Sequence, residues 1–140
     1  MLENGTLIML LLFMVKHFIW DFTPLQTPYM WMNKGKYGHP GGILHAALHV
    51  VASFPILFFY STHIARYFPS APWMNTGWLL VFSLIFEFLS HYHMDWAKVK
   101  IGKATGWRPD NSPHFWTLLG VDQLVHFLTY WIITYVWFIL

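Results

Sequence analysis

The sequence predicts an all-α integral membrane protein: a four-transmembrane-helix bundle built from two similar helical hairpins. Three observations carry this reading. Hydrophobic residues make up 56% of the chain and charged residues only 10%, against roughly 25% charged in soluble domains. Aromatic residues reach 21%, with nine Trp, and Trp and Tyr gather at membrane–water interfaces. Four apolar stretches, near 4–22, 42–60, 76–96 and 121–140, each approach the roughly 20 helical residues that cross a bilayer core. Residues 1–140 are read as a single transmembrane domain.

The first stretch has no basic residue ahead of its apolar run and no small-residue cleavage site behind it, so it reads as a retained span rather than a signal peptide. Pro40-Gly41-Gly42 precede the second span, and Pro55 falls inside it, where a kink is expected. Pro69, Pro72 and Asn75 precede the third; Gly106, Pro109, Asn111 and Pro113 fill the last connection. The first and third connections hold Lys34, Lys36, Lys98, Lys100, Lys103 and Arg108, whereas the second holds Arg66. Basic loops stay cytoplasmic. The expected topology therefore has loops 1 and 3 in the cytoplasm and both termini outside, in a bacterial inner membrane.

The formal charge of +2 gives no footprint for a nucleic-acid partner. The bilayer itself is the expected partner, and an oligomer remains open, because lipid-facing aromatics look the same as a subunit interface. Cysteine is absent, so any metal must be held by nitrogen and oxygen.

The ionisable residues fall in four sets: His17 and Asp21; His45 and His49; Glu87, His91 and Asp95; Asp122 and His126. Every spacing is i, i+4, which puts each set on one stripe of its helix. Each set lies toward the cytoplasmic end of its span, with Glu87 deepest. Ionised groups at the bilayer centre cost about 2.5–3.5 kcal/mol each on insertion scales, so the nine are expected to face one another around one cavity. The order His-x3-Asp then His-x3-His parallels His-x3-Asp then Asp-x3-His, which suggests that one hairpin supplies most of one metal site and the other hairpin another.

The metal-ligand candidates are His17, Asp21, His45, His49, His91, Asp95, Asp122 and His126. Gln26 and Gln123 are placed to orient ligands from behind. One or two divalent ions are expected, with Zn²⁺ first because mixed His/Asp ligation suits it, and Mn²⁺ or Fe open. Glu87 or Asp95 is the candidate general base and Lys98 the candidate anion holder. Lys98 serves equally as an orientation anchor, and the same His/Asp sets could be a polar network that fixes the bundle. His93 lies about 200° around the helix from His91. His39 and His114 are in connections, and His63 is on the opposite side; all four are left out of the ligand set. Lys16 is expected to face away from His17 and snorkel to the interface.

His17-x3-Asp21-x4-Gln26, Lys34, His45-x3-His49, His91-x3-Asp95-x2-Lys98 and Asp122-Gln123-x2-His126 resemble an uncharacterised family of small bacterial and phage membrane proteins, domain of unknown function DUF3307. That resemblance covers nearly the whole chain and implies a polytopic membrane protein without any established chemistry. More weakly, the pattern is similar to inner-membrane metal-dependent hydrolases, which also place His and Asp at helix ends.

The functional expectation is a metal-dependent hydrolase at the cytoplasmic membrane face, acting on a lipid or lipid-linked substrate. A di-iron oxidoreductase would use the same residue types on four helices, although the chain lacks clustered His-x-x-His-His boxes. A proton- or metal-ion-conducting protein would use the pairs as relay sites, but the far half of every span is nearly pure hydrocarbon. A phage-encoded or accessory membrane protein without enzymatic activity is the remaining class.

Overall fold

A computed structural model describes residues 2–67 and 76–139, with side chains over 5–62 and 76–138. Among these residues every regular element is helical: α1 (Leu2–Phe22), α2 (Pro28–Trp31), α3 (Pro40–Tyr67), α4 (Thr76–Thr105) and α5 (Pro113–Ile139). Pro69, Pro72 and Asn75, expected ahead of the third long helix, lie outside the described residues, as does the Arg66 side chain.

The helix ends have local causes. Pro28, Pro40 and Pro113 open α2, α3 and α5, at the position where a missing N–H costs nothing and the ring pre-sets φ. Ahead of α5, Ser112 Oγ accepts from the His114 amide at 3.3 Å, and ahead of α3, His39 Nδ1 accepts from the Gly41 amide at 3.0 Å. Helix α4 ends where Gly106 adopts φ 70°, the left-handed conformation that commonly closes a helix. Pro55 lies inside α3, which continues through it.

Three boundaries differ from the sequence reading, the first being the second long helix, which runs on to Tyr67 past the apolar stretch that ends at 60. The third long helix runs on to Thr105 and the fourth begins at Pro113, beyond the apolar stretches that end at 96 and begin at 121. Lys98, Lys100 and Lys103 are therefore helical. Hydropathy stops where polar residues begin, whereas hydrogen bonding continues until Gly106 breaks it. By length and composition, two helices are apolar enough to cross a membrane, over Gly5–Phe22 and Pro40–Thr62.

The four long helices form a ring in the order α1, α3, α4, α5, each packed on two neighbours. Neighbours run antiparallel. The start of α1 meets the ends of α3 and α5, since the Tyr60 hydroxyl donates to Gly5 O at 3.1 Å and Phe138 approaches Gly5. The buried stripe steps every four residues: Met9, Phe13 and His17 on α1; His45, His49, Ser53 and Leu57 on α3; Ser83, Glu87, His91 and Asp95 on α4; Asp122, His126 and Tyr130 on α5. Along that stripe the interior divides. Met9, Phe13, Leu57, Tyr60, Tyr130, Ile133 and Trp137 pack into an apolar core at one end, and the His/Asp residues fill the other.

The connection 23–39 lies over the polar end. Gly35 lets it come close to α4: a Cβ there would stand 2.2 Å from Val99 Cγ1, a distance no side chain tolerates. This close approach positions the neighbouring Lys34.

Candidate metal centre

All five histidines of the four stripes turn Nε2 toward the carboxylates at the middle of the ring. Asp21 is the hub. Its Oδ1 lies 2.9 Å from His45 Nε2, 3.5 Å from His49 Nε2 and 4.0 Å from His91 Nε2, while its Oδ2 lies 3.3 Å from His17 Nε2. Asp95 Oδ2 lies 3.0 Å from His45 Nε2 and 3.5 Å from His91 Nε2. His45 Nε2 and His91 Nε2 are 3.2 Å apart. At most one nitrogen of such a pair can use a proton to reach the other, so the ring centre is crowded with electron-pair donors.

Several of these groups lack hydrogen bonds although they are buried: both ring nitrogens of His49, His91 Nδ1, His126 Nε2, Asp95 Oδ2 and Asp122 Oδ1. Buried polar atoms are nearly always paired, and orphans call for an explanation such as an ion. Three overlapping groups could hold a metal ion: Asp21, His45, His49 and His91; His17, Asp21 and His126; His91, Asp95 and His126, with the candidate atoms of each group within 4.8 Å of one another. Imidazole nitrogen with carboxylate oxygen is a donor set suited to zinc and its first-row neighbours.

Seven of the eight expected ligands enter these groups. Asp122 does not, although its Oδ1 is 3.4 Å from His126 Nε2. Lys98, one helical turn past Asp95, reaches across to α5 and donates to Asp122 Oδ2 at 2.7 Å, and Gln123 Nε2 donates to the same oxygen at 2.9 Å. The groups also cross the hairpins: the first hairpin supplies three members of the group Asp21, His45, His49 and His91, the second supplies all of His91, Asp95 and His126, and His17 and Asp21 join His126 across the two.

Gln26 and Gln123 stand behind ligands. Gln26 Nε2 donates to Asp21 Oδ1 at 3.3 Å, and Gln123 Oε1 lies 3.1 Å from His17 Nε2. His39, His93 and His114 take no part. His93 lies 3.2 Å from the Tyr37 hydroxyl, and His114 packs at a tilt against Trp107 with centroids 5.0 Å apart. The His63 side chain is outside the described residues.

Lys16 overturns its sequence reading. It is buried rather than interfacial, and its ammonium donates to Glu87, to Ser53 Oγ at 3.0 Å, to the Tyr130 hydroxyl at 2.9 Å and to His49 O at 3.4 Å. Tyr130 in turn touches His17 Nδ1 at 3.3 Å. Glu87, a candidate base, is thus engaged beneath the cluster. The signal was in the sequence: Lys16 is seven residues, nearly two full turns, from Met9, and therefore shares its inward face. Tyr130 and Ser53 could have been found by extending the i, i+4 stripes one step past His126 and His49.

Lys34, named in the resemblance pattern but given no site role there, comes from the connection 23–39 and donates to Asp95 Oδ1 at 3.1 Å. Lys98 also approaches that oxygen, at 3.5 Å. Beside Lys98, between the end of α4 and the start of α5, opens a cavity of about 490 Å³ with Val99, Trp107, Phe115 and Leu118 on its walls and Lys103 and Arg108 among its lining.

Fold and site together define a class: an all-helical chain whose four long helices each send His or carboxylate groups to one buried cluster. The chain belongs to the family described as "Protein of unknown function (DUF3307)", whose model matches residues 9–140. No curated protein and no solved structure matches it. The likeness to inner-membrane metal-dependent hydrolases has no support from these comparisons and rests on residue type and position alone.

Proposed function

We propose that this protein is a membrane-embedded metal-dependent hydrolase, with its centre at the cytoplasmic face and a lipid or lipid-linked substrate. The observation that carries the reading is the convergence of Asp21, His45, His49 and His91 from three helices, with ligand atoms inside 4.8 Å and both His49 nitrogens lacking hydrogen bonds.

Four spans are supported by the outward faces of all four long helices. Leu11 and Phe18 on α1, Val51 and Phe59 on α3, Phe82 and Ile85 on α4, and Leu124 and Trp131 on α5 are exposed. A protein that buries its charges and exposes its hydrocarbon is arranged for lipid rather than water. Lys36, Lys100, Lys103 and Arg108 lie at the same end as the His/Asp cluster, which under the positive-inside rule faces the cytoplasm.

A divalent ion held by this cluster supplies a Lewis acid and a water acidified toward neutral pH. The chain's own groups do the rest. Asp95, held on one oxygen by Lys34 and Lys98, presents the other to the cluster as a proton acceptor. Lys98 stands at the rim with its side chain 19% exposed, where it can hold an anionic group. The cavity beside it joins apolar walls to cationic Lys98, Lys103 and Arg108, which suits an amphipathic, anionic substrate entering from the membrane. Glu87, engaged by Lys16, supports the cluster from beneath.

The test is elemental analysis of the detergent-purified protein and of His49→Ala, followed by incubation of both with vesicles of defined anionic lipids and analysis of the products. Stoichiometric transition metal, diminished in the variant, together with metal-dependent lipid cleavage supports the reading; protein that stays metal-free after loading with Zn²⁺, Mn²⁺ and Fe²⁺ sinks it.

A di-iron oxidoreductase is the second reading, favoured by the placement of Asp21 between two histidine groups; an oxygen-sensitive visible absorption band would select it. Conduction is disfavoured by the far end of the ring, where Met9, Phe13, Leu57 and Trp137 are packed closed.

A further inference from the structure

We propose that the centre is dinuclear, with the Asp21 carboxylate bridging two divalent ions. The first ion takes Asp21 Oδ1, His45, His49 and His91; the second takes Asp21 Oδ2, His17 and His126. This rests on the metal-binding reading above and deepens it.

The argument starts from charge. Four carboxylates are buried at this end of the ring, and three have an ammonium partner: Glu87 has Lys16, Asp95 has Lys34 at 3.1 Å, and Asp122 has Lys98 at 2.7 Å. Asp21 is the exception. Among the described residues no Lys or Arg nitrogen comes within ion-pair distance of it, and its partners are imidazoles and Gln26. A buried carboxylate without a cation is expensive. The other three are already served by lysines, so at Asp21 alone the balancing charge is left to an imidazolium or to a bound ion.

The two oxygens of Asp21 then decide the number of ions. They face different histidines. Oδ1 points to the three rings of α3 and α4, at 2.9–4.0 Å. Oδ2 points to His17, at 3.3 Å, whose ring lies 4.8 Å from that of His126. Asp21 belongs to both groups, the one with His45, His49 and His91 and the one with His17 and His126, and its Oδ1 lies nearest His45 while its Oδ2 lies nearest His17. A single ion bound through Oδ1 would leave Oδ2 and His17 outside its ligand set, and His126 with only the alternative group of His91 and Asp95. A carboxylate whose two oxygens serve two ions holds them at roughly the 3.5–4 Å spacing of two-metal hydrolytic sites.

The orphaned atoms fall on both sides of this division. His49 Nε2 lies in the first group and His126 Nε2 in the second. With both ions bound, the three lysines and two divalent ions outweigh the four carboxylates. The centre is then net cationic, so the group it receives is an anion such as a phosphoryl ester of a lipid.

The experiment is metal stoichiometry by elemental analysis after loading the full-length, detergent-solubilised protein with Zn²⁺, paired with electron paramagnetic resonance of the Co²⁺-loaded form. The variants are His49→Ala, His126→Ala and Asp21→Asn, with helicity checked by circular dichroism. The wild type is expected to hold two ions per chain with a magnetically coupled Co²⁺ signal. His49→Ala and His126→Ala should each retain one, uncoupled, and Asp21→Asn should lose the coupling. One ion in the wild type overturns the dinuclear proposal and leaves the metal-dependent reading standing; none overturns both. Two ions whose coupling survives in Asp21→Asn overturn the bridge. The wild-type stoichiometry and coupling decide the ion count even where a variant fails to fold.

Discussion

Lys16 on α1 donates to Glu87 on α4, and both side chains are buried inside the ring. The pair sits under the His/Asp cluster and reaches it through Tyr130 and His17. Breaking one half of a buried pair costs roughly 3–5 kcal/mol because the survivor keeps its charge without a partner. Lys16→Met should therefore destabilise the protein by about that amount, and Lys16→Met with Glu87→Leu should recover most of it. Unfolding in mixed micelles, followed by circular dichroism, measures both. Equal losses in the single and double variants would show that the pair matters for packing and not for charge.

Ligand histidines must be neutral, so protons compete with metal for them. The centre draws on five imidazoles, so metal affinity should be high at neutral pH and fall as the pH drops, with more than one proton taken up per ion released. Equilibrium dialysis of the Zn²⁺-loaded protein from pH 8 down to the acid limit of folding reads this out. Affinity that stays flat over the range would argue that carboxylates alone hold the ion.

Gly35 touches Val99 so closely that a methyl group at residue 35 has no room. Gly35→Ala should cost about 1–3 kcal/mol through overpacking and weaken metal retention, because residue 34 carries the lysine that holds Asp95. Val99→Ala should recover only part of both, because the Cβ of residue 99 would still stand 2.8 Å from the new methyl group, whereas Val99→Gly removes the clash. Thermal denaturation and metal content of the variants, singly and together, give the comparison.

The chain has no cysteine, so single cysteines report topology cleanly. Lys36→Cys and Asp110→Cys should react with an impermeant maleimide only from the cytoplasmic side, and Asn75→Cys only from the outside. Labelling of Lys36→Cys in intact cells would reverse the proposed orientation; opposite sidedness for Lys36→Cys and Asp110→Cys would remove a span between them.

Much of the site was legible because i, i+4 spacing is a property of the helix itself. His17 with Asp21, His45 with His49, and His91 with Asp95 each had to share a stripe, and the cost of charge in hydrocarbon predicted that the stripes face inward. Lys16 does not show its inward face through its neighbour His17, which lies about 100° around the helix; that face follows only from Met9, two turns earlier. Lys34 is hidden for a different cause: it lies in a connection with no period, and only the approach of Gly35 to Val99 brings its side chain to Asp95.

Helicity, apolar stretches of membrane length and the placement of His and carboxylate groups on single stripes all follow from local periodicity and composition, and so can be read along the chain. The tertiary structure decided the cyclic order of the helices, and with it which ligands meet. His91 joins Asp21 and His49 across the two hairpins, and Asp122 is taken by Lys98. Such pairings depend on the distances between helices far apart in sequence, which no spacing along one helix encodes.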